Sequence, residues 1–116
     1  TMRHAESHDA VLDDIDAYVA TLDEREQREL DVAEAAIDVA ILLHRARRHR
    51  GLSQVAAAEL AGLRQQAVSR FEQPGANPNL ASVVAYLHAL GYAVEVRAID
   101  PEEDEPAAIA RLAPAS

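Results

Sequence analysis

Hydrophobic and polar positions alternate with helical spacing over most of the chain and switch to a period of two near its end. In residues 9–22, DAVLDDIDAYVATL, the apolar side chains fall at Val11, Ile15, Tyr18, Val19 and Leu22, with Asp13, Asp14 and Asp16 largely off that face. This spacing predicts a first amphipathic helix. Thr21 and Glu24 in TLDE then stand at capping-box spacing, the hydroxyl accepting from the amide three residues on and the carboxylate reaching back. No Gly or Pro follows until Gly51, which predicts one long helix over residues 22–50, about 40 Å at about 1.5 Å per residue. Its middle, VAEAAIDVAILL, is apolar nearly all round and is expected to be buried on more than one side.

Gly51 ends that helix, Ser53 caps a short one over 54–61, Gly62 breaks it, and residues 64–72 form a third. QPGANPN (73–79) reads as a loop. LASVVAYLHAL (80–90) is helical, with Leu80, Val83, Val84, Leu87 and Leu90 on one face and Gly91 as its stop. In YAVEVRAI (92–99) Val94, Val96 and Ala98 point one way and Glu95 and Arg97 the other, the pattern of a strand with two open edges. The predicted organisation is an acidic helical extension over 1–38, a helical domain ending in one strand over 39–99, and an acidic flexible tail over 100–116.

Composition narrows the class. Nearly half of the 116 residues are hydrophobic, alanine being the commonest, with one phenylalanine and no tryptophan. A core of Leu, Ile, Val and Ala on helices follows, hence an all-α fold. The chain has no cysteine, so no disulfide or thiolate metal site is expected and the cytoplasm is the expected compartment. The longest apolar run, VAILL, is far too short for a membrane span, and no signal peptide is expected. Met2 is expected to be the native start. His4 and His8 have metal-compatible spacing but lack a third ligand, DDID lacks the rest of a calcium loop, and no Ser or Thr has a base partner. Neither a metal, a cofactor nor an enzymatic activity is expected.

Charge divides the molecule. The net charge is −9, yet residues 44–72 hold six arginines against Glu59 and Glu72, a net of +4. A basic segment in an acidic chain points to nucleic acid at that segment alone. The same segment carries two short helices about a glycine, with Ala57 and Ala58 where the helices would cross: a helix-turn-helix. Leu60, Leu63, Val68 and Phe71 are expected on its inner face. Arg64, Gln65, Gln66, Ser69 and Arg70 remain for the outer face of the second short helix, where glutamine can pair with adenine and arginine with guanine.

GLSQ, the alanine-bearing helix, AGL, QQAVSRFE and ALG together resemble the Xre/Cro/phage-repressor helix-turn-helix family, whose domain is lambda-repressor-like, over about residues 40–91. Two positions depart from it: Ala57 stands where a bulky aliphatic is usual, and the glycine after Glu72 is displaced to Gly75. The resemblance implies that Gln65, Gln66 and Ser69 face bases and that Gln54 lies near a phosphate. It implies a buried pair of Arg47 with Glu72, and places Arg64, Arg70, Asn77 and Asn79 along the DNA backbone, where Arg48 and Arg50 can add contacts. Arg70 is a candidate for either role.

A narrower resemblance, to HigA-type antitoxins, covers the acidic extension, the long helix entering GLSQ, and YLHALGYAVEV. It implies autoregulation of an operon and a basic ribonuclease toxin as partner. Residues 6–38 hold twelve acids against Arg25 and Arg28, and Val11, Ile15, Tyr18 and Leu22 would anchor such a toxin. The expected DNA target is an inverted repeat bound by a homodimer, with the strand pairing with its copy or packing with helix 80–90 across the two-fold. The alternatives are a stand-alone or phage-type regulator without a toxin, and an adaptor whose helix-turn-helix binds protein.

Overall fold

The computed structural model describes residues 16–18, 20, 21 and 23–113. Helix α1 spans Glu24–His49, α2 Gln54–Ala61, α3 Gln65–Phe71 and α4 Leu80–Ala89; strands β1 (Val94–Ala98) and β2 (Ala108–Leu112) follow. The chain divides into two compact units, residues 1–35 and 36–116. The fold is mostly helical, a helix-turn-helix bundle with a C-terminal strand, as its pattern predicts.

In the first unit residues 16–18 and 20 are helical. Thr21 does not cap the long helix: its hydroxyl donates backwards to the Tyr18 carbonyl at 2.6 Å, closing the preceding turn. The capping box lies two residues on. The Asp23 carboxylate accepts from the Glu26 amide at 2.8 Å, and Glu26 accepts from the Asp23 amide at 3.3 Å. Asp is at least as good an N-cap as Thr, and its charge also suits the positive helix end. Val11, Ile15 and Leu22, with His4 and His8, lie outside the described residues; Tyr18 is exposed.

The core lies in the second unit. Leu43 of α1, Ala57 and Ala58 of α2, Val68 of α3, and Val83, Tyr86, Leu87 and Leu90 of the last helical segment form one buried cluster. Phe71 packs its ring 5.1 Å from that of Tyr86 at the cluster's edge. Small alanines let α2 and α3 approach closely, so few large side chains fill the crossing. That explains two departures from the predicted faces: Leu60 and Leu63 are exposed, leaving Val68 and Phe71 to line the inside. Leu80 is exposed as well, and Tyr86 takes the inward place on α4. The middle of α1 is buried on one side only. Ala40 and Leu43 are inside, while Val32, Ile37, Ile41 and Leu42 face outward.

The acidic stretch after β1 is not all tail. Residues 108–112 return as β2, antiparallel to β1, with Val94 opposite Leu112, Val96 opposite Ala110 and Ala98 opposite Ala108. The sequence hides this strand because AIARL is alanine-rich and a poor strand former alone; pairing with β1 supplies what propensity does not. One of the two edges expected to be open is therefore occupied within the chain. The His88 ring nitrogen Nε2 lies 2.8 Å from the Leu112 carbonyl and ties α4 to the end of β2. Among the described residues, no helix is long and apolar enough to cross a membrane.

Candidate nucleic-acid interface

The turn between α2 and α3 is set by three local features. Ser53 caps α2, accepting from the Ala56 amide at 3.0 Å. Gly62 adopts the left-handed conformation at φ 66°, and the Leu63 amide reaches back to the Ala58 carbonyl at 2.9 Å. A side chain on Gly62 would meet no atom within 4 Å, so glycine serves the backbone angle here and not a close approach. Helix α3 starts at Gln65 with Arg64 extended before it, and Val68 is completely buried. Fixing Val68 inward leaves Gln66 and Arg70 exposed, with Gln65, Ala67 and Ser69 half-buried beside them.

These side chains do not hang independently. Gln65 donates from Nε2 to Oε1 of Gln54 at 2.6 Å, joining the first residues of α2 and α3. A glutamine held by a second glutamine has fewer rotamers to lose when it meets a base. Arg64, Gln66, Ala67 and Arg70 surround a shallow concavity with Gly62 and Leu63. Ala67 and Leu63 are the residues that the polar reading of this surface passed over. Both can meet a thymine methyl group, and the place of Ala67 between Gln66 and Arg70 was the available signal.

Beneath α3 a second network holds it in place. Arg47, at the end of α1, donates from Nε to Glu72 Oε2 at 2.7 Å and from Nη2 to Oε1 at 3.0 Å. Its Nη1 donates to the Leu52 carbonyl at 2.7 Å, so one buried guanidinium bridges α1, the turn before α2 and the end of α3. His44 adds a contact absent from the sequence reading, its Nδ1 lying 2.7 Å from Glu72 Oε1. Burial pushes the Glu72 carboxyl upward, but hydrogen bonds from Arg47 and His44 and the Arg47 charge prevail and hold it below the usual carboxylate range. The hydrogen bond to Glu72 likewise raises Arg47. Tyr86 is raised by its burial, with the Glu72 charge adding to it, and its buried hydroxyl has no hydrogen-bond partner among the described residues.

The candidate backbone-contacting residues fall into two groups. Arg48 is exposed on the last turn of α1 and Arg64 stands at the start of α3. Arg50 is engaged elsewhere: it donates to the Leu90 and Gly91 carbonyls at 3.0 and 3.1 Å and stacks 4.2 Å from the Tyr92 ring centre. It closes the C-terminal end of α4 and lies outside the α2–α3 surface. Asn79 caps α4 by accepting from the Ser82 amide at 2.8 Å, and Asn77 holds a left-handed turn at φ 48° in the same loop.

Residues 43–96 match the family described as Helix-turn-helix. The match supports the Xre and lambda-repressor-like family, and with it a DNA-binding transcription regulator that binds double-stranded DNA. No curated protein and no solved structure matches the chain.

Proposed function

We propose that the protein is a sequence-specific transcriptional repressor that reads its operator with Gln65, Gln66 and Ser69 and holds the backbone through Gln54, Arg48 and Arg64. Arg70, exposed on α3, reaches either a base or a phosphate. The observation that supports this best is the Gln54–Gln65 hydrogen bond, which presets one reader at the start of the helix presented by the Gly62 turn. Such a regulator works where the chromosome is, in the cytoplasm, and as a pair of copies on an inverted repeat with half-sites about 34 Å apart. The test is the double variant Gln65→Ala/Gln66→Ala. Each bidentate glutamine–adenine pair is worth about 1–3 kcal/mol, so discrimination between operator and random DNA should collapse. Binding of both DNAs in the wild-type ratio would show that other residues read the bases. Absence of any salt-sensitive DNA complex would favour the adaptor.

Within this reading we propose the antitoxin of a type II toxin–antitoxin pair over a stand-alone regulator. The specific observation is the opposition of charge along the chain: the first turn of α1 carries Glu24 and Glu26, and its last turn Arg47, Arg48 and His49. The acidic half repels DNA and suits a basic ribonuclease, with exposed Tyr18 among the expected anchors Val11, Ile15, Tyr18 and Leu22. A chain beginning at Leu30 should still bind operator but fail to neutralise the toxin encoded beside it. Full neutralisation by that truncation would remove the acidic half from the toxin interface.

A further inference from the structure

The last turns of α1 have two opposite faces. Arg47 is buried and holds Glu72. Arg45 and His49 stand two residues to either side of it, and two residues turn a helix by about 200°, so both lie on the far face. Leu42, Arg45, Ala46 and His49 follow the i, i+3, i+4, i+7 spacing of a single stripe. With Leu87 of α4 and the segment 92–95 that enters β1, this stripe walls a cleft of about 370 Å³, within the size range of small-molecule sites.

The walls are held in place by contacts of their own. The Tyr92 hydroxyl donates to the Ala46 carbonyl at 2.9 Å, which pins the entry to β1 against the stripe. Arg50 stacks 4.2 Å from the centre of the Tyr92 ring, and the His49 ring lies 6.3 Å from it, centre to centre. The interior of the cleft is apolar: Leu87 is buried, Ala46 and Val94 are half-buried. Leu42 keeps 52% of its surface exposed beside them, so an apolar body seated there removes that surface from water. Charge selects the other end of a ligand. Among the described residues the Arg45 guanidinium has no hydrogen-bond or ion-pair partner. Glu95, on the strand side, is already engaged by Arg97 at 2.9 Å. Arg45 is therefore left for a ligand, and its planar fork suits the two oxygens of a carboxylate. The Glu95 carboxylate on the same cleft opposes a second negative charge, which favours a monoanion over a phosphate dianion.

We propose that this cleft binds a small amphipathic monocarboxylate, its aliphatic or aromatic body against Leu42, Ala46, Leu87 and Val94 and its carboxylate on Arg45. His49, one turn beyond Arg45, adds a ring nitrogen at the anionic end. The site lies on the face of α1 turned away from the Arg47–Glu72 pair, and it uses none of the residues assigned to DNA. It stands or falls independently of the DNA-binding reading.

Titration of the full chain with sodium octanoate, followed by amide chemical shifts, provides the test, with octan-1-ol as the uncharged counterpart. Octanoate should shift the amides of residues 42–49, 87 and 92–95 saturably and bind more tightly than octanol. Arg45→Ala should weaken octanoate by about tenfold or more, the loss of a charge-assisted hydrogen bond, and leave octanol as it was. Leu42→Ser should weaken both. Both side chains are exposed, and circular dichroism confirms that each variant folds. Arg28→Ala removes the same charge from the first unit and should leave octanoate binding unchanged. Equal binding of octanoate and octanol, or octanoate indifferent to Arg45→Ala, would overturn the carboxylate assignment. Shifts confined to the α2–α3 surface, shifts that never saturate, or no shifts would overturn the site. Cleft amides that move with protein concentration alone, and then ignore octanoate, would show a second copy seated there and overturn the small-molecule reading.

Discussion

Arg47 and Glu72 lie at the ends of two helices, and each would be a costly buried charge without the other. Replacing Arg47 by Met leaves Glu72 buried with only the weaker support of His44 and Gln54. We expect a loss of about 3–5 kcal/mol in chemical unfolding at neutral pH, the range for breaking a buried pair. The pH dependence has a definite sign. The folded Glu72 carboxyl is held below its ordinary value, so its contribution is present above the ordinary carboxylate range, about pH 4.3, and is lost as pH falls through the depressed folded value. Arg47 is raised from a value already far above neutrality, so it stays charged throughout. The stability gap between wild type and Arg47→Met should therefore be wide at pH 7 and narrow in acid; an unchanged gap would mean that Glu72 is not the partner that matters. The pairing of these two residues was available only through the family resemblance. The His44 contact was not available at all, because no spacing in the sequence brings the end of α3 back over the last turns of α1.

At the scale of elements, the exposed surface of α2 and α3 depends on two short helices that would not be stable alone. Local chemistry sets where α2 starts and stops. Ser53→Ala removes the hydroxyl that satisfies the Ala56 amide and should cost about 1 kcal/mol. Gly62→Ala should cost about 1–2 kcal/mol, because a left-handed backbone is unfavourable with a Cβ even where space is free. Denaturant midpoints check both, and Gly62→Asn should recover part of the second loss. Both signals were legible as letters. The capping box of α1 was misplaced because TLDE and DERE overlap and both satisfy the spacing; the hydroxyl of Thr21 was drawn to the turn behind it.

At the scale of the molecule, a chain of net charge −9 is expected to bind a polyanion through a segment of net +4. That makes salt dependence the sharpest global measurement. Arg64→Ala should weaken operator and random DNA alike and reduce the slope of log affinity against log salt by about one. An unchanged slope would place Arg64 away from the phosphates. Arg50→Ala should change that slope little, since its guanidinium is bound to the carbonyls at the end of α4, and should instead loosen the junction of α4 with Tyr92.

The sequence by itself determined the helices α1 to α4, the Ser53 and Gly62 punctuation, the exposed polar face of α3 and the first strand, because each follows from neighbours within a few residues: a cap, a left-handed glycine, a period of 3.6 or of two. Tertiary structure decided what local pattern could not. It chose which apolar side chains are spent inside, turning Leu60, Leu63 and Leu80 outward and Tyr86 inward, because alanine at the crossing fixes how near the helices come. It set Arg50 on the end of α4 and Gln54 on Gln65, contacts that span 40 and 11 residues. It also turned AIARL into a strand, since a weak strand former needs the hydrogen-bonding edge of another strand, and only the fold brings that edge beside it.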